Sequence, residues 1–234
     1  MSDRNVSSLS SQAVRTRSIL RNTYLWMTGG LALTGVVAYA VASNPAMVRA
    51  LVSNRILFFG LIVGELILVI YLSRRIMSLS PGAAVGGFAL FAALNGVILS
   101  VIFLAYTGTA ITRVFFITAG TFAGVSLYAA TTRRDLSGIG HYLIMGLWGI
   151  IIASLVNFFL RSETLYWIVS YIGVAVFIGL TAYDTQIIKR WSEQHSDGVG
   201  EADYMRLSIL GALKLYLDFI NLFLFFLRIF GRRR

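Results

Sequence analysis

Seven apolar stretches, separated by short polar segments, dominate the pattern of this chain. Within the first six, the only acidic or basic side chains other than histidine are Glu65 and Asp184. A helix of about 20 apolar residues crosses the hydrocarbon core of a bilayer. The pattern therefore predicts an all-α integral membrane protein, a bundle of seven transmembrane helices, with spans at 23–43, 56–73, 83–106, 114–131, 139–160, 165–188 and 207–230.

The composition also indicates a membrane protein, and the chain length limits how many domains it can contain. The chain is 57% hydrophobic and 13% charged, whereas soluble domains are about 45–50% apolar and about 25% charged. Seven spans use most of the 234 residues, so we expect a flexible, polar cytosolic tail at 1–21 and a single transmembrane domain at 22–234. The chain has no cysteine, which excludes disulfides, thiolate metal sites and a cysteine nucleophile.

The net charge of +10 raises the question of nucleic-acid binding. The basic residues, however, lie singly or in short clusters between apolar runs, as topology determinants do. We therefore predict no nucleic-acid partner.

Orientation follows from the same basic residues, because lysine and arginine are enriched in cytosolic loops. With the amino terminus inside, eleven basic residues flank the inner side and four the outer side, which predicts a cytosolic amino terminus. The arginines at 232–234 then fall outside, against the rule. Either the last helix does not cross fully, or the first six spans outweigh it. The inner residues are Arg4, Arg15, Arg17, Arg21, Arg74, Arg75, Arg133, Arg134, Lys189, Arg190 and Arg206, and the outer ones are Arg49, Arg55, Arg113 and Arg161.

Two aspartates in the last two spans are the main candidates for chemistry. An ionisable group inside a membrane helix is costly and indicates function. Asp184 lies about four residues, roughly 6 Å, from the inner end of span six. If span seven enters the bilayer near Lys214, Asp218 lies at a similar depth. The polar segment between them, 189–203, is predicted to be a loop.

At matching depths, Asp184 and Asp218 can approach each other. Two neighbouring carboxylates cannot easily both ionise, so such a pair shares a proton and titrates as a unit. When fully deprotonated, it offers four oxygens of the kind calcium prefers. The spacing alone fits equally well a static hydrogen bond between the helices with no transport role.

Other polar residues in the spans have narrower interpretations. Lys214, Asp218 and Asn221 share one face of span seven, which suits a helix at the core of the bundle. In span two, Glu65 is interpreted as a lone acid kept protonated by a serine, asparagine or backbone partner.

Four motifs carry a family resemblance. They are Leu-Tyr-Leu-Asp-Phe-Ile-Asn-Leu-Phe at 215–223, Leu-Arg-Ile-Phe-Gly at 227–231, Tyr-Asp-Thr-Gln at 183–186 and Thr-Arg-Arg-Asp-Leu-Ser at 132–137. The chain resembles the transmembrane Bax-inhibitor-motif family from its first span to its end.

The resemblance implies seven helices with the seventh central, and a pH-sensitive calcium leak whose aspartate pair corresponds to Asp184 and Asp218. It further implies that Arg74 or Arg75 latches this pair, and Glu65 matches an acid often found in span two. Family members are described as inhibitors of cell death, and bacterial ones as partners of a membrane-bound AAA protease. A bacterial inner membrane is the expected location. The chain departs from the family at Lys214, a cation that could pair with Asp218 and compete with calcium.

Three functions remain open at this point. The first is a calcium-permeable leak channel or proton-coupled calcium exchanger, with calcium, protons and lipid as partners and no cofactor. The second is a non-conducting interaction protein that acts on a protease or on a stress or cell-death pathway through 1–21 and 189–206. The third is an intramembrane aspartyl protease, which would need Gly-x-Gly-Asp where this chain has Tyr216-Leu217-Asp218. We therefore do not predict an enzyme.

Overall fold

Helices make up nearly all of the computed structural model, which describes residues 2–194 and 200–232, with side chains from Ile19 onward. The part of the chain so described contains no strand. Short 3-10 turns occupy Ile76–Ser78 and Ser137–Ile139. The α-helices are α1 Ser2–Ala42, α2 Pro45–Ser53, α3 Arg55–Arg75, α4 Pro81–Leu99, α5 Ile102–Ala105, α6 Gly108–Thr131, α7 Gly140–Leu160, α8 Glu163–Gln194 and α9 Glu201–Phe230.

The prediction of seven spanning helices is confirmed. Within the described residues, seven helical segments are long and apolar enough to cross a membrane. They are Ile19–Ala42, Arg55–Ser78, Pro81–Ala105, Gly108–Thr131, Ser137–Leu160, Glu163–Gln194 and Glu201–Phe230. The structure adds the nine-residue helix α2 between the first two spans, which the sequence analysis did not predict.

Helix ends differ from the predicted ones. The segment predicted as a loop at 189–203 is wrong at both ends, because α8 continues to Gln194 and α9 already begins at Glu201. Residues 195–199 of that segment lie outside the described residues. Likewise α1 begins at Ser2, so the predicted flexible tail has helical backbone. Hydropathy marks where a helix leaves the bilayer, whereas backbone hydrogen bonds can continue the helix into water.

The chain divides into two compact units, and α8 and α9 each contribute residues to both. Unit 1 contains residues 1–105 and 188–216. In it, α1 and α4 approach closely at Gly96, where an added Cβ would lie 2.7 Å from the carbonyl oxygen of Thr34. The Thr34 hydroxyl donates to the carbonyl oxygen of Ala92, with an oxygen–oxygen distance of 2.8 Å. The small residue therefore allows a polar contact between two membrane helices.

Unit 2 contains residues 106–187 and 217–234. Its aromatic core includes Phe219, whose ring centroid lies 5.6 Å from that of Phe115 and 5.5 Å from that of Phe122. The last part of α9 packs on α8 where the Phe225 ring covers Gly173. An added Cβ there would approach the ring to 2.5 Å, so only glycine allows this close contact.

Helix α9 is the most enclosed of the seven spanning helices. In its apolar stretch 72% of the residues are buried, compared with 39% in α8 and 6% in α7. The prediction that the seventh helix is a core helix is confirmed. Helix α7 has the composition and exposure of a helix that faces lipid.

Candidate functional site

Both predicted aspartates are buried in unit 2. Asp184 on α8 is 7% exposed and Asp218 on α9 is 4% exposed. Each takes part in hydrogen-bonding or electrostatic interactions in the structure. Acidic side chains are almost never buried to this extent without such interactions.

Two ring contacts give the direction of α8 relative to α9. The Phe177 and Phe225 ring centroids lie 5.8 Å apart. Earlier on α8, the Tyr166 ring lies 5.7 Å from the guanidinium carbon of Arg228, which comes later on α9. Residue numbers therefore fall along α8 as they rise along α9, so the two helices are antiparallel where they pack in unit 2.

Asp184 and Asp218 lie on the same side of the Phe177–Phe225 contact. Asp184 comes seven residues after Phe177, and Asp218 comes seven residues before Phe225. Seven residues are about two helical turns, so each aspartate lies on the same face as its phenylalanine. Both lie about 10 Å from the ring contact, in the same direction.

Two carboxylates that lie close together can share a proton or bind a cation. They share a proton when close, and when deprotonated they provide four oxygens, whereas calcium takes six to eight. Within the described residues, no group of three or more acidic, histidine or cysteine side chains could hold a metal ion. A cation at the pair would therefore take its other ligands from water or the backbone.

A glutamine next to this site joins two of the sequence motifs. The Gln186 side-chain amide on α8 donates to the carbonyl oxygen of Arg134 at 2.7 Å and accepts from the backbone N–H of Leu136 at 2.8 Å. About one turn earlier on α8, the Tyr183 ring packs on Gly140, where an added Cβ would lie 2.3 Å from the ring. The α6–α7 loop is thus fixed to α8 beside Asp184. This role was not predicted from the sequence, although an amide side chain within an apolar span was a signal for it.

Glu65 lies on α3 in unit 1, where its carboxylate accepts a hydrogen bond from the side-chain amide of Asn95 on α4. This confirms one of the partners expected for a lone acid in span two. The Oδ1 atom of Asn95 is buried and has no hydrogen-bond partner among the described residues. The pair is therefore one acid and one amide that does not titrate.

The remaining predicted residues have less defined surroundings. Arg74 and Arg75 end α3 and are exposed. Lys214 is half-buried, one turn before Asp218 on α9. Asn221 donates to the carbonyl oxygen of Leu217 on its own helix at 2.8 Å. The latch role of the arginines and the modulating roles of Lys214 and Asn221 stay predictions.

Unit 1 contains a second buried polar contact that the sequence analysis missed. The hydroxyl of Tyr216, a fully buried residue, lies 2.6 Å from that of Thr34. The Tyr216 ring makes edge contacts with Phe88 and Phe91, at centroid distances of 5.8 and 5.6 Å. The tyrosine of the Tyr-Leu-Asp motif is thus a packing residue with its hydroxyl satisfied.

The fold and the buried acids define a seven-helix integral membrane protein with ionisable groups inside its spans. The sequence profile described as inhibitor of apoptosis-promoting Bax1 matches residues 16–234. The inner membrane protein YbhL of Escherichia coli K12 is 52% identical over 218 residues, which is 93% of each chain. An uncharacterized protein of Borreliella burgdorferi is 46% identical over 208 residues, 89% of each chain. The chain belongs to the family of inhibitors of apoptosis-promoting Bax1.

Proposed function

We propose that the protein is a pH-sensitive, calcium-permeable leak channel or proton-coupled calcium exchanger. In this proposal Asp184 and Asp218 are both the proton sensor and the cation site. Protons and calcium compete for the same carboxylate oxygens, so calcium passes when the pair is deprotonated. Calcium is the transported ion, and no catalytic step is part of the proposal.

The observation that carries the proposal is the helical register of two buried acids. The Phe177–Phe225 contact supports a face-to-face position of Asp184 and Asp218, seven residues away on each helix. A carboxylate pair in a membrane-spanning region suits proton relays and ion pathways. The limited number of protein ligands suits a cation that passes through, since tight calcium sites use six to eight oxygens.

Calcium flux into liposomes that contain only this protein tests the proposal. The wild-type protein should show flux that rises with pH between about 6 and 8, where a coupled acid pair can titrate. Asp184→Asn and Asp218→Asn should each lose most of this pH dependence, because an amide keeps hydrogen bonding but does not titrate. Glu65→Gln is the matched control and should keep the wild-type profile. Thermal melting in detergent checks that each variant is folded.

Two results would reject the proposal. Wild-type liposomes without calcium flux at any pH would favour a non-conducting interaction protein, with a membrane-bound AAA protease as the partner to examine. Aspartate variants that are folded and retain the full pH profile would reduce the pair to a structural hydrogen bond.

We further propose a bacterial inner membrane as the location, with the amino terminus in the cytosol. The location rests on the name of the E. coli relative, an inner membrane protein, and the orientation on the distribution of basic residues. A reporter fused after Arg190 should read cytosolic. A periplasmic reading at that position would reverse the topology.

A further inference from the structure

A cavity of about 480 Å³ lies in unit 2, where α7 ends and α8 begins beside the last turn of α9. The polar side chains that line it include those of Asn157, Arg161, Ser162, Glu163 and Arg228. The proposed function uses none of them. Two arginines and one glutamate among the lining residues give the surroundings of this cavity a net positive charge.

Arg228 is half-buried in the last turn of a membrane-spanning helix. Its guanidinium carbon lies 5.7 Å from the Tyr166 ring centroid and 5.1 Å from that of Phe225. Such contacts involve the face of the guanidinium and leave its N–H groups able to donate. Among the described residues it has no ion pair, although Glu163 lines the same cavity. Charged groups at membrane depth are usually paired, so Arg228 is suited to bind an anion.

Arg161, the second arginine of the cavity, has a strained backbone conformation. Its backbone is left-handed, with φ of 51°, and it is the one non-glycine residue with positive φ in the described chain. Its N–H donates to the carbonyl oxygen of Asn157 at 2.8 Å, and the Ser162 N–H donates to the Asn157 side chain at 2.9 Å. Glycine is the usual residue at such a helix end. Glycine could thus close this turn with less strain, but it would remove a positive charge from the cavity.

The surroundings of the cavity identify the kind of anion. The last residues of α7, Phe158, Phe159 and Leu160, are all exposed, with Phe159 at 75%. Tyr166 and Trp167 also line the cavity, and tyrosine and tryptophan of spanning helices lie mostly near the lipid headgroups. Guanidinium groups bind phosphate oxygens in a bidentate manner. Glu163 disfavours a dianion, so a singly charged phosphodiester fits better than inorganic phosphate.

We propose that the cavity binds the phosphodiester headgroup of an anionic phospholipid between Arg161 and Arg228, with its acyl chains along the exposed end of α7. This site is independent of the calcium path. It would attach the α7–α8 turn and the last turn of α9 to the same lipid molecule.

Binding of short-chain phosphatidylglycerol to the full chain in neutral detergent tests the proposal, with native mass spectrometry and thermal melting as readouts. The wild-type protein should bind one lipid saturably, and its melting temperature should rise. Arg228→Gln should weaken binding at least about tenfold, the loss expected for a charge-assisted hydrogen bond. Arg161→Gly should weaken binding similarly without loss of stability, because glycine fits the left-handed backbone. Arg113→Gln, an exposed arginine outside the cavity, is the control and should bind normally.

Two further ligands separate the possible sources of the anion. Phosphatidylcholine with the same acyl chains should bind weakly, and inorganic phosphate should neither bind comparably nor displace the lipid. Equal binding of phosphatidylcholine would overturn the requirement for an anion, and equal binding of phosphate would overturn the lipid assignment. If Arg228→Gln does not fold, Arg161→Gly decides. Unchanged phosphatidylglycerol affinity in that folded variant rejects the site.

Discussion

The two units each place carboxylates inside membrane-spanning helices, but the partners differ in kind. In unit 1, Glu65 is partly buried and bonded to the amide of Asn95. In unit 2, Asp184 and Asp218 are almost fully buried, and the proposed function places them opposite each other. The charge of an amide does not change with pH, whereas the charge of a second carboxyl group does.

Burial alone therefore does not make an acid a pH sensor. A carboxyl group opposite an amide has a partner whose charge does not change with pH, so the contact serves as a structural hydrogen bond. Two acids that face each other are coupled, since ionisation of one opposes ionisation of the other. The unit 2 pair is therefore the candidate switch, and the unit 1 pair is the internal control for it.

Cross-linking gives the largest expected effect, because the chain has no cysteine of its own. With Asp184→Cys and Asp218→Cys together, mercuric ion should bridge most of the chains, since we propose that the two positions face each other. Phe177→Cys with Phe225→Cys is the positive control, from a ring contact seen directly at 5.8 Å. Mass spectrometry after alkylation of the remaining thiols counts the bridged fraction.

The negative control for this experiment is Asp184→Cys with Leu217→Cys. Leu217 is one residue away from Asp218 but about 100° around the helix, so bridging there should be low. Equal bridging at 217 and 218, with the positive control working, would show that the two aspartates do not face each other.

The unit 1 pair should matter for stability. Asn95→Leu leaves the Glu65 carboxyl without its amide partner, which should cost about 1–3 kcal/mol of unfolding free energy. Glu65→Gln keeps an acceptor for the Asn95 amide and should cost less. Melting curves in detergent measure both. If Asn95→Leu melts like the wild-type protein, the hydrogen bond between α3 and α4 contributes nothing measurable.

The smallest effect should come from Lys214, one turn before Asp218. Its cation favours the ionised aspartate but repels calcium, and an interaction of about 0.5–1 kcal/mol is typical of a partly exposed pair. Lys214→Ser should therefore raise calcium flux at neutral pH about two- to fivefold. Flux that is unchanged or lower would mean that the ammonium group lies away from the cation path.

Hydropathy was sufficient to predict the spans, because a bilayer requires long apolar helices. It also singled out Glu65, Asp184 and Asp218, since each is a costly exception within such a helix. The polar residues that share one face of span seven also predicted that this helix, α9, lies at the core of the bundle. These features depend on local sequence alone.

Other features depend on contacts that local sequence does not encode. The ends of α8 and α9 extend past the apolar residues, because polar side chains are compatible with helix in water. The bonds of Gln186 to the α6–α7 loop join positions about fifty residues apart. The proposed position of Asp184 opposite Asp218 relies on the Phe177–Phe225 contact, and the same Phe225 ring packs closely on Gly173. The arginine cavity likewise forms only where three helix ends meet.

A titration of the carboxyl groups by infrared difference spectroscopy shows whether Asp184 and Asp218 share a proton. The carbonyl band of protonated acids is followed against pH in the folded wild-type protein, in Asp184→Asn, in Asp218→Asn and in the double variant. Coupling predicts that the wild-type curve has two separated steps and cannot be obtained by adding the two single-variant contributions. A wild-type curve equal to that sum would show that Asp184 and Asp218 titrate independently, and would contradict the account of a shared proton.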